Sequence, residues 1–227
     1  MPHPRIKQIR AAWEPRQPCK ASDPGVYDHG VDSVTAFVLA GGRSSRMGQD
    51  KAFMQLGEQT LLGHALDLAK GATGSVRIVG STEKFAAFGP VVEDIYHGRG
   101  PLAGIHAALA GTQTELNLIL AVDMPFLQPE FLTYLVAQAR QNAAVVVVPE
   151  AGGGLQPLCA VYRRDFAPIA ERSLRAGSYK IDALFGEIQT RVIEPEELER
   201  NGFGEAMFRN LNTGKDWHEA KQELSAK

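Results

Sequence analysis

Cysteine is nearly missing from this chain: Cys19 and Cys159 are the only two among 227 residues. Two thiols build no disulfide framework and, by themselves, no zinc site. The fold must therefore rest on an apolar core, and the chain reads as a protein of a reducing, cytoplasmic compartment. No charge of one sign dominates. Lys+Arg is 24 and Asp+Glu is 26, a net charge of −2, which argues against a nucleic-acid surface as the main function and still allows a local basic pocket for a small phosphate. No apolar run approaches the ~18 residues of a membrane helix. The N-terminal stretch carries charge but no apolar h-region, unlike a secretory signal. His3, His29, His64, His97, His106 and His218 share no metal-ligand spacing, and His64 and His106 read as packing or surface residues of helices. No serine sits in a Gly-x-Ser-x-Gly elbow, so that hydrolase chemistry has no support. No repeat of fixed period is present, which excludes a solenoid.

What is present is an ordinary globular composition, 44% hydrophobic and 22% charged, in a chain long enough to bury a large core without staples. Residues 1–32 differ from the rest. They contain Pro2, Pro4, Pro15, Pro18 and Pro24 without periodicity, and the expectation is a poorly ordered extension before one domain over 33–227. From Val34 onward, short β-branched apolar runs alternate with helical patterns. VTAFVLA (34–40), VRIVG (76–80), VVEDI (91–95), LNLILAV (116–122) and AAVVVVP (143–149, closed by Pro149) read as strands. LLGHALDLAK (61–70), EKFAAF (83–88), GPLAGIHAALAG (100–111) and PEFLTYLVAQAR (129–140) read as the helices between them. Pro101 and Pro129 suit helix starts, and Gly111 a stop. This pattern predicts right-handed βαβ units and an α/β fold: a single Rossmann-like domain with a mostly parallel central sheet and helices on both faces. Beyond 149 the order is less regular: AGGGLQP (151–157) as a flexible turn, LCAVY (158–162) as a strand, DFAPIAERSLRAG (165–177) as a helix, then IDALFGE, TRVIEP and EAMFRNLNT as helix, strand, strand, and KDWHEAKQEL (215–224) as a last helix.

In open α/β sheets, ligands bind beyond the carboxyl ends of the strands. After the first strand comes Gly41-Gly42-Arg43-Ser44-Ser45-Arg46-Met47-Gly48-Gln49-Asp50-Lys51. Glycines let backbone N–H groups converge into an anion nest, and Arg46 and Lys51 add two cations suited to a triphosphate. The spacing matches neither a Walker A loop nor Gly-x-Gly-x-x-Gly. A plain βα turn with solvated charges is the other reading; three glycines and two cations at this position favour phosphate. LNLILAV runs straight into Asp123-Met124-Pro125, where the carboxylate is a metal ligand or a turn cap. Beside a cationic phosphate loop, the Mg²⁺ reading gains weight. Asp123 is expected to stand near Asp94 without a resident cation. Glu93 and Asp94 end another strand, as solvated termini or as site residues. Gly100-Pro101-Leu102-Ala103-Gly104 opens a helix whose N-terminus can face an anion. Gln156-Pro157 follows three glycines. Alternation in a strand would put Asn210 and Asn212 on one face, there to orient a metal-bound water or a hydroxyl, or simply to make a turn.

Together these residues carry a resemblance. Leu39-Ala40-Gly41-Gly42, Arg46-Met47-Gly48 and Asp50-Lys51 resemble the signature loop of nucleotidyltransferases of glycosyltransferase-A-like fold. Glu93-Asp94, Gly100-Pro101-Leu102-Ala103-Gly104, Asp123-Met124-Pro125, Gln156-Pro157 and Asn210-Leu211-Asn212-Thr213 resemble, in order and separation, the molybdenum cofactor guanylyltransferases, over about residues 34–222. The resemblance implies Mg²⁺-dependent transfer of GMP from GTP to molybdopterin with release of pyrophosphate. It implies nucleotide contacts at Leu39, Ala40, Gly41, Gly42, Lys51, Gly80, Asp94, Pro101, Leu102 and Asp123. It further implies charge stabilisation by Arg46, Lys51 and Asp123, Mg²⁺ on Asp123, and an acceptor bordered by Gln156, Asn210 and Asn212. Small-molecule substrates, with transient contacts to molybdenum-insertion proteins and client molybdoenzymes, would be its partners, without nucleic acid or membrane. Two departures stand out: Gly80 replaces an Asn that some members carry, and Gly214 replaces the Pro that commonly follows Asn-x-Asn-Thr. A cytidylyl- or sugar-nucleotide transferase of the same fold, or a non-catalytic pterin- or nucleotide-binding assembly factor, remains the alternative.

Overall fold

The computed structural model describes residues 34–41 and 50–225. The 1–32 extension with its boundary, and Gly42 and Arg46 of the first loop, lie outside the described residues. The elements run β1 (Val34–Leu39), β2 (Gln55–Leu56), β3 (Gln59–Thr60), α1 (Leu61–Ala72), β4 (Ser75–Val79), α2 (Thr82–Phe85), β5 (Val91–Val92), α3 (Pro101–Ala110), β6 (Leu116–Ala121) and α4 (Pro129–Gln141). They continue with β7 (Val146–Ala151), β8 (Gly154–Leu155), β9 (Cys159–Arg163), α5 (Ala167–Arg175), α6 (Ile181–Phe185), β10 (Thr190–Ile193), α7 (Pro195–Arg200) and α8 (Gly214–Ser225).

The main sheet has the order β10-β7-β9-β6-β1-β4-β5, with β8 hydrogen-bonded to β7. Along this path every pairing is parallel except the two made by β9. Both faces are covered, as the buried strands predict. Ala36, Val38, Leu118, Leu120 and Val161 feed the core beneath α1 and α4, while Phe37, Ile119, Ala160 and Tyr162 feed the core beneath α3 and α5. This is the period-two alternation of strands buried on both sides. The helices follow their punctuation. The Thr60 hydroxyl accepts from Gly63 N at 3.1 Å to cap α1, and Pro101 and Pro129 stand in the first turns of α3 and α4. Gly100, at φ 75°, makes the entry to α3.

The departures from expectation have local causes. β7 runs through Pro149 to Ala151 instead of stopping at the proline. Its ladder to β9 ends at Val147, so the missing N–H removes no bond on that side. Gly152 (φ 60°) and Gly153 (φ 76°) then form a two-residue hairpin to β8. Two positive-φ residues are what such a reversal demands. It turns the chain back, so that β9 lies antiparallel between β7 and β6. The strand expected in EAMFRNLNT is a 3-10 turn over Glu205–Phe208. Met207 N donates to Gly204 O and Arg209 N to Ala206 O, the three-residue spacing of such a turn and not of a ladder.

At the amino ends of β1 and β6, away from the strand ends that carry the site, Asn117 is fully buried. Its amide donates to the carbonyls of Thr114, Glu115 and Tyr162, and its carbonyl accepts from the Thr114 hydroxyl at 2.9 Å. Asn117→Ala strands these partners and is expected to cost about 1–3 kcal/mol in urea unfolding, with nucleotide binding unchanged. A variant as stable as the parent would show the network to be dispensable.

Candidate active site

β1 and β6 end level, Leu39 paired with Ala121. After β1 the chain crosses by α1 over one face to β4, and it returns to β6 by α3 over the other. Oppositely directed crossovers leave a crevice beyond the carboxyl ends of β1 and β6. The described residues that reach it come from three remote segments.

Lys51 opens a 3-10 turn (Lys51–Phe53) that Asp50 caps, accepting from Ala52 N at 3.3 Å. The other Asp50 oxygen pairs with Lys84 at 2.8 Å. Asp123 follows β6. The Lys51 ammonium donates to Asp123 Oδ2 at 3.1 Å and to Asn212 Oδ1 at 2.8 Å. Lys51 and Asp123 are only 20% and 22% exposed, so the pair is partly shielded from water. Asp123 thus does have a resident cation, contrary to the sequence-based expectation. Asn212 arrives without a strand: Leu211 is buried, and its N–H donates to Asp123 O at 3.0 Å. Asp216 Oδ2 accepts from both Asn212 N and Thr213 N at 2.8 Å, while Asp216 N donates to the Thr213 hydroxyl at 3.1 Å. This is a capping box at the start of α8. The Asn212 and Thr213 N–H donors hold the Asp216 carboxyl below its usual range.

The remaining candidates divide clearly. Asp94 Oδ1 is buried without a hydrogen-bond partner among the described residues and would lie 3.6 Å from a Cβ placed on Gly104. Burial pushes its carboxyl up, against a smaller opposing pull from His97. A buried acceptor left open beside a crevice is where a ligand donor is expected. Glu93, by contrast, accepts from Thr82 N at 2.7 Å and caps α2. At the end of β1, Ala40 N and Gly41 N both donate to Val79 O at 3.0 Å, so these N–H groups are engaged in the sheet. Gly80 N donates to Val92 O at 3.0 Å. A Cβ on Gly80 would stand 2.7 Å from the Phe85 ring, so only backbone can face a ligand there. Pro101 is exposed, and Leu102 is fully buried, leaving main-chain groups as its means of contact. Asn210 is half-buried. The Gln156 amide donates to Ala151 O at 3.0 Å and so ties the β7–β8 turn.

Three supports went unread in the sequence. His64 Nε2 donates to Pro125 O at 2.7 Å, tethering the Asp123 loop to α1. Asp50 and Asp216 act as caps. Thr213-x-x-Asp216 was the one with a readable signature.

The family model described as "MobA-like NTP transferase domain" matches residues 36–191. The chain belongs to the MobA-like NTP transferase family. A probable molybdenum cofactor guanylyltransferase of Pelotomaculum thermopropionicum is 37% identical over 190 residues, 83% of this chain and 92% of the relative. The molybdenum cofactor guanylyltransferase of Desulfosudis oleivorans is 33% identical over 199 residues, 86% and 98% of the two chains. Among solved structures, molybdopterin-guanine dinucleotide biosynthesis protein A of Archaeoglobus fulgidus superposes with a TM-score of 0.75 at 27% identity, covering 85% of this chain and all of that one. The mixed α/β sheet described above is thus the MobA-like fold.

Asp94→Asn tests the open acceptor. Burial disfavours the charged carboxyl, so the amide is expected to raise the melting temperature of the ligand-free protein. A raised folded pKa means the wild-type penalty is full at neutral pH. It fades as pH falls toward the unfolded carboxylate value of about 3.9. Equal melting of the two proteins at neutral pH would show that Asp94 is well solvated.

Proposed function

We propose that this chain is a molybdenum cofactor guanylyltransferase, transferring GMP from GTP to the terminal phosphate of molybdopterin and releasing pyrophosphate. The observation that carries this reading is the meeting of Lys51, Asp123 and Asn212 beyond β1 and β6, in a chain whose relatives bear that name over more than four fifths of its length. A terminal phosphate oxygen of the acceptor attacks the α-phosphorus of GTP. The new P–O bond forms as the bond from the α-phosphorus to the pyrophosphate oxygen breaks. No covalent enzyme intermediate is needed, so the protein's work is in-line positioning and charge neutralisation.

Asp123 and Asn212 aim one carboxylate and one amide oxygen at a common cationic point. Among the described residues no cluster of three or more His, Cys, Asp or Glu could hold a metal. Mg²⁺ takes one or two carboxylates and completes its shell with phosphate oxygens and water, so a single Asp can begin its site. Asp123 would hold it, and when bound it would polarise the α-phosphate. Lys51, with Arg46 from the preceding loop, would neutralise the triphosphate and the departing pyrophosphate. Asp94 would accept a hydrogen bond from the nucleoside, with main chain at Leu39, Ala40, Gly41, Gly42, Gly80, Pro101 and Leu102 lining its surroundings. Asn210, Asn212 and Gln156 would border the acceptor. No described helix is long and apolar enough to cross a membrane. The proposal places the reaction in the cytoplasm, within reach of molybdenum-insertion proteins and client molybdoenzymes, and residues 33–227 as its domain.

GTP with Mg²⁺ is expected to raise the melting temperature more than ATP, CTP or UTP. A ligand at 100 times its Kd adds about 2.7 kcal/mol. A larger shift with CTP would reassign the chain to a cytidylyl transferase. Nucleotide binding without pyrophosphate release on adding molybdopterin would make it an assembly factor.

Asp123→Asn is expected to slow transfer about 100-fold, the scale of losing one charge-stabilising group. It should also lower the stability of the ligand-free protein, because Lys51 loses its anion. The amide oxygen can still accept from Lys51, so the cost is the lost charge attraction of a partly exposed pair, about 1 kcal/mol. An active, destabilised variant would leave Asp123 as a partner of Lys51 alone.

A further inference from the structure

The same three residues bear on the order in which ligands arrive. The Lys51 ammonium stands within hydrogen-bond distance of Asp123 Oδ2, on the residue assigned to a divalent ion, and of Asn212 Oδ1 beside it. Two cations cannot share that point. An ion entering alone would meet a like charge and leave the ammonium without its anion, in a partly shielded site where such repulsion is weakly screened. The backbone of both residues is held by the chain: Leu211 N donates to the Asp123 carbonyl, and Asp216 accepts from Asn212 N. The lysine's four-carbon stem is the mobile member.

We propose that Lys51 is a resident counter-ion that keeps divalent cations off Asp123 until a triphosphate draws the ammonium away. The proposal rests on the assignment of Asp123 as the metal ligand. The arriving triphosphate offers the ammonium new anionic oxygens and supplies the metal with ligands that the protein lacks. Metal and nucleotide therefore strengthen each other's binding, and by linkage the coupling is reciprocal. When pyrophosphate leaves, Lys51 returns to Asp123 and Asn212 and resists retention of the ion. Lys51 thus couples the two ligands in addition to neutralising phosphate.

The test is Mn²⁺ binding to the full chain without nucleotide, read from the paramagnetic resonance signal of the free ion. Wild type is expected to bind weakly. Lys51→Met is expected to bind at least about tenfold more tightly, within the usual range of coupling, and Lys51→Gln should agree with it should Lys51→Met fold poorly. Lys51→Arg keeps the charge and should stay weak. Adding Asp123→Asn to Lys51→Met should abolish the gain. If Lys51→Met and Lys51→Gln bind Mn²⁺ no better than wild type while Asp123→Asn still weakens binding, the counter-ion role is overturned and the metal assignment stands. If Asp123→Asn leaves Mn²⁺ binding intact in every background, the metal assignment itself falls, and the counter-ion role falls with it.

Discussion

The parallel pairing of β1 with β6 is the constraint on which the site depends. Their register ends both strands at one level, Leu39 beside Ala121, and Val122 N extends the ladder by donating to Leu39 O. Because α1 and α3 cover opposite faces, the segments that follow these strands are released into the same crevice. Lys51 and Asp123 meet there although 72 residues separate them. The cores on either side make this pairing rigid. Residues such as Val38 and Leu120 point into one core and Phe37 and Ile119 into the other, so a one-residue slip would exchange the two layers.

Much of this frame could be read from residue order. Pro101 and Pro129 mark helix starts because the N–H that proline lacks has no partner in the first helical turn, and Gly111 marks a stop. The β-branched runs mark strands buried on both faces. Strand direction was harder. β9 looks like any other apolar run, and its reversal is set by the two left-handed glycines before it, Gly152 and Gly153. The triple glycine was visible, but three consecutive glycines do not say which two take positive φ. The segment around Asn210 and Asn212 misled for another reason. Its apolar residues Met207, Phe208 and Leu211 fit a strand loosely, but Phe208 packs edge-on against Phe131, 5.2 Å between centroids. That tertiary contact sets the local conformation.

The candidate site could be read from the sequence as a set of expected residues and not as a set of contacts. Lys51, Asp123 and Asn212 could each be singled out by their place after a strand or loop. No local pattern could pair them, since Asn212 lies 161 residues from Lys51. The expectation of an unpaired Asp123 failed on this point: charge balance at the crevice is struck between distant segments.

The acidic residues make the same point from the other side. Asp50, Glu93, Asp94, Asp123 and Asp216 all sit near strand ends or helix starts, and by type they are interchangeable. What separates them is which donors the fold aims at them. Asp50, Glu93 and Asp216 each accept backbone N–H groups and serve as caps. Glu93 is accordingly held below its usual range by the Thr82 N–H. Asp123 takes an ammonium. Asp94 has an oxygen that no described group satisfies, and burial pushes its carboxyl in the opposite direction. A fold does not leave a buried acceptor open without cost. On the proposed function, that cost would be recovered when the nucleoside brings the donor. The carboxylates that hold the frame are therefore already satisfied. The two left for the proposed chemistry are Asp123, paired with a flexible lysine, and Asp94, with an oxygen unpartnered among the described residues.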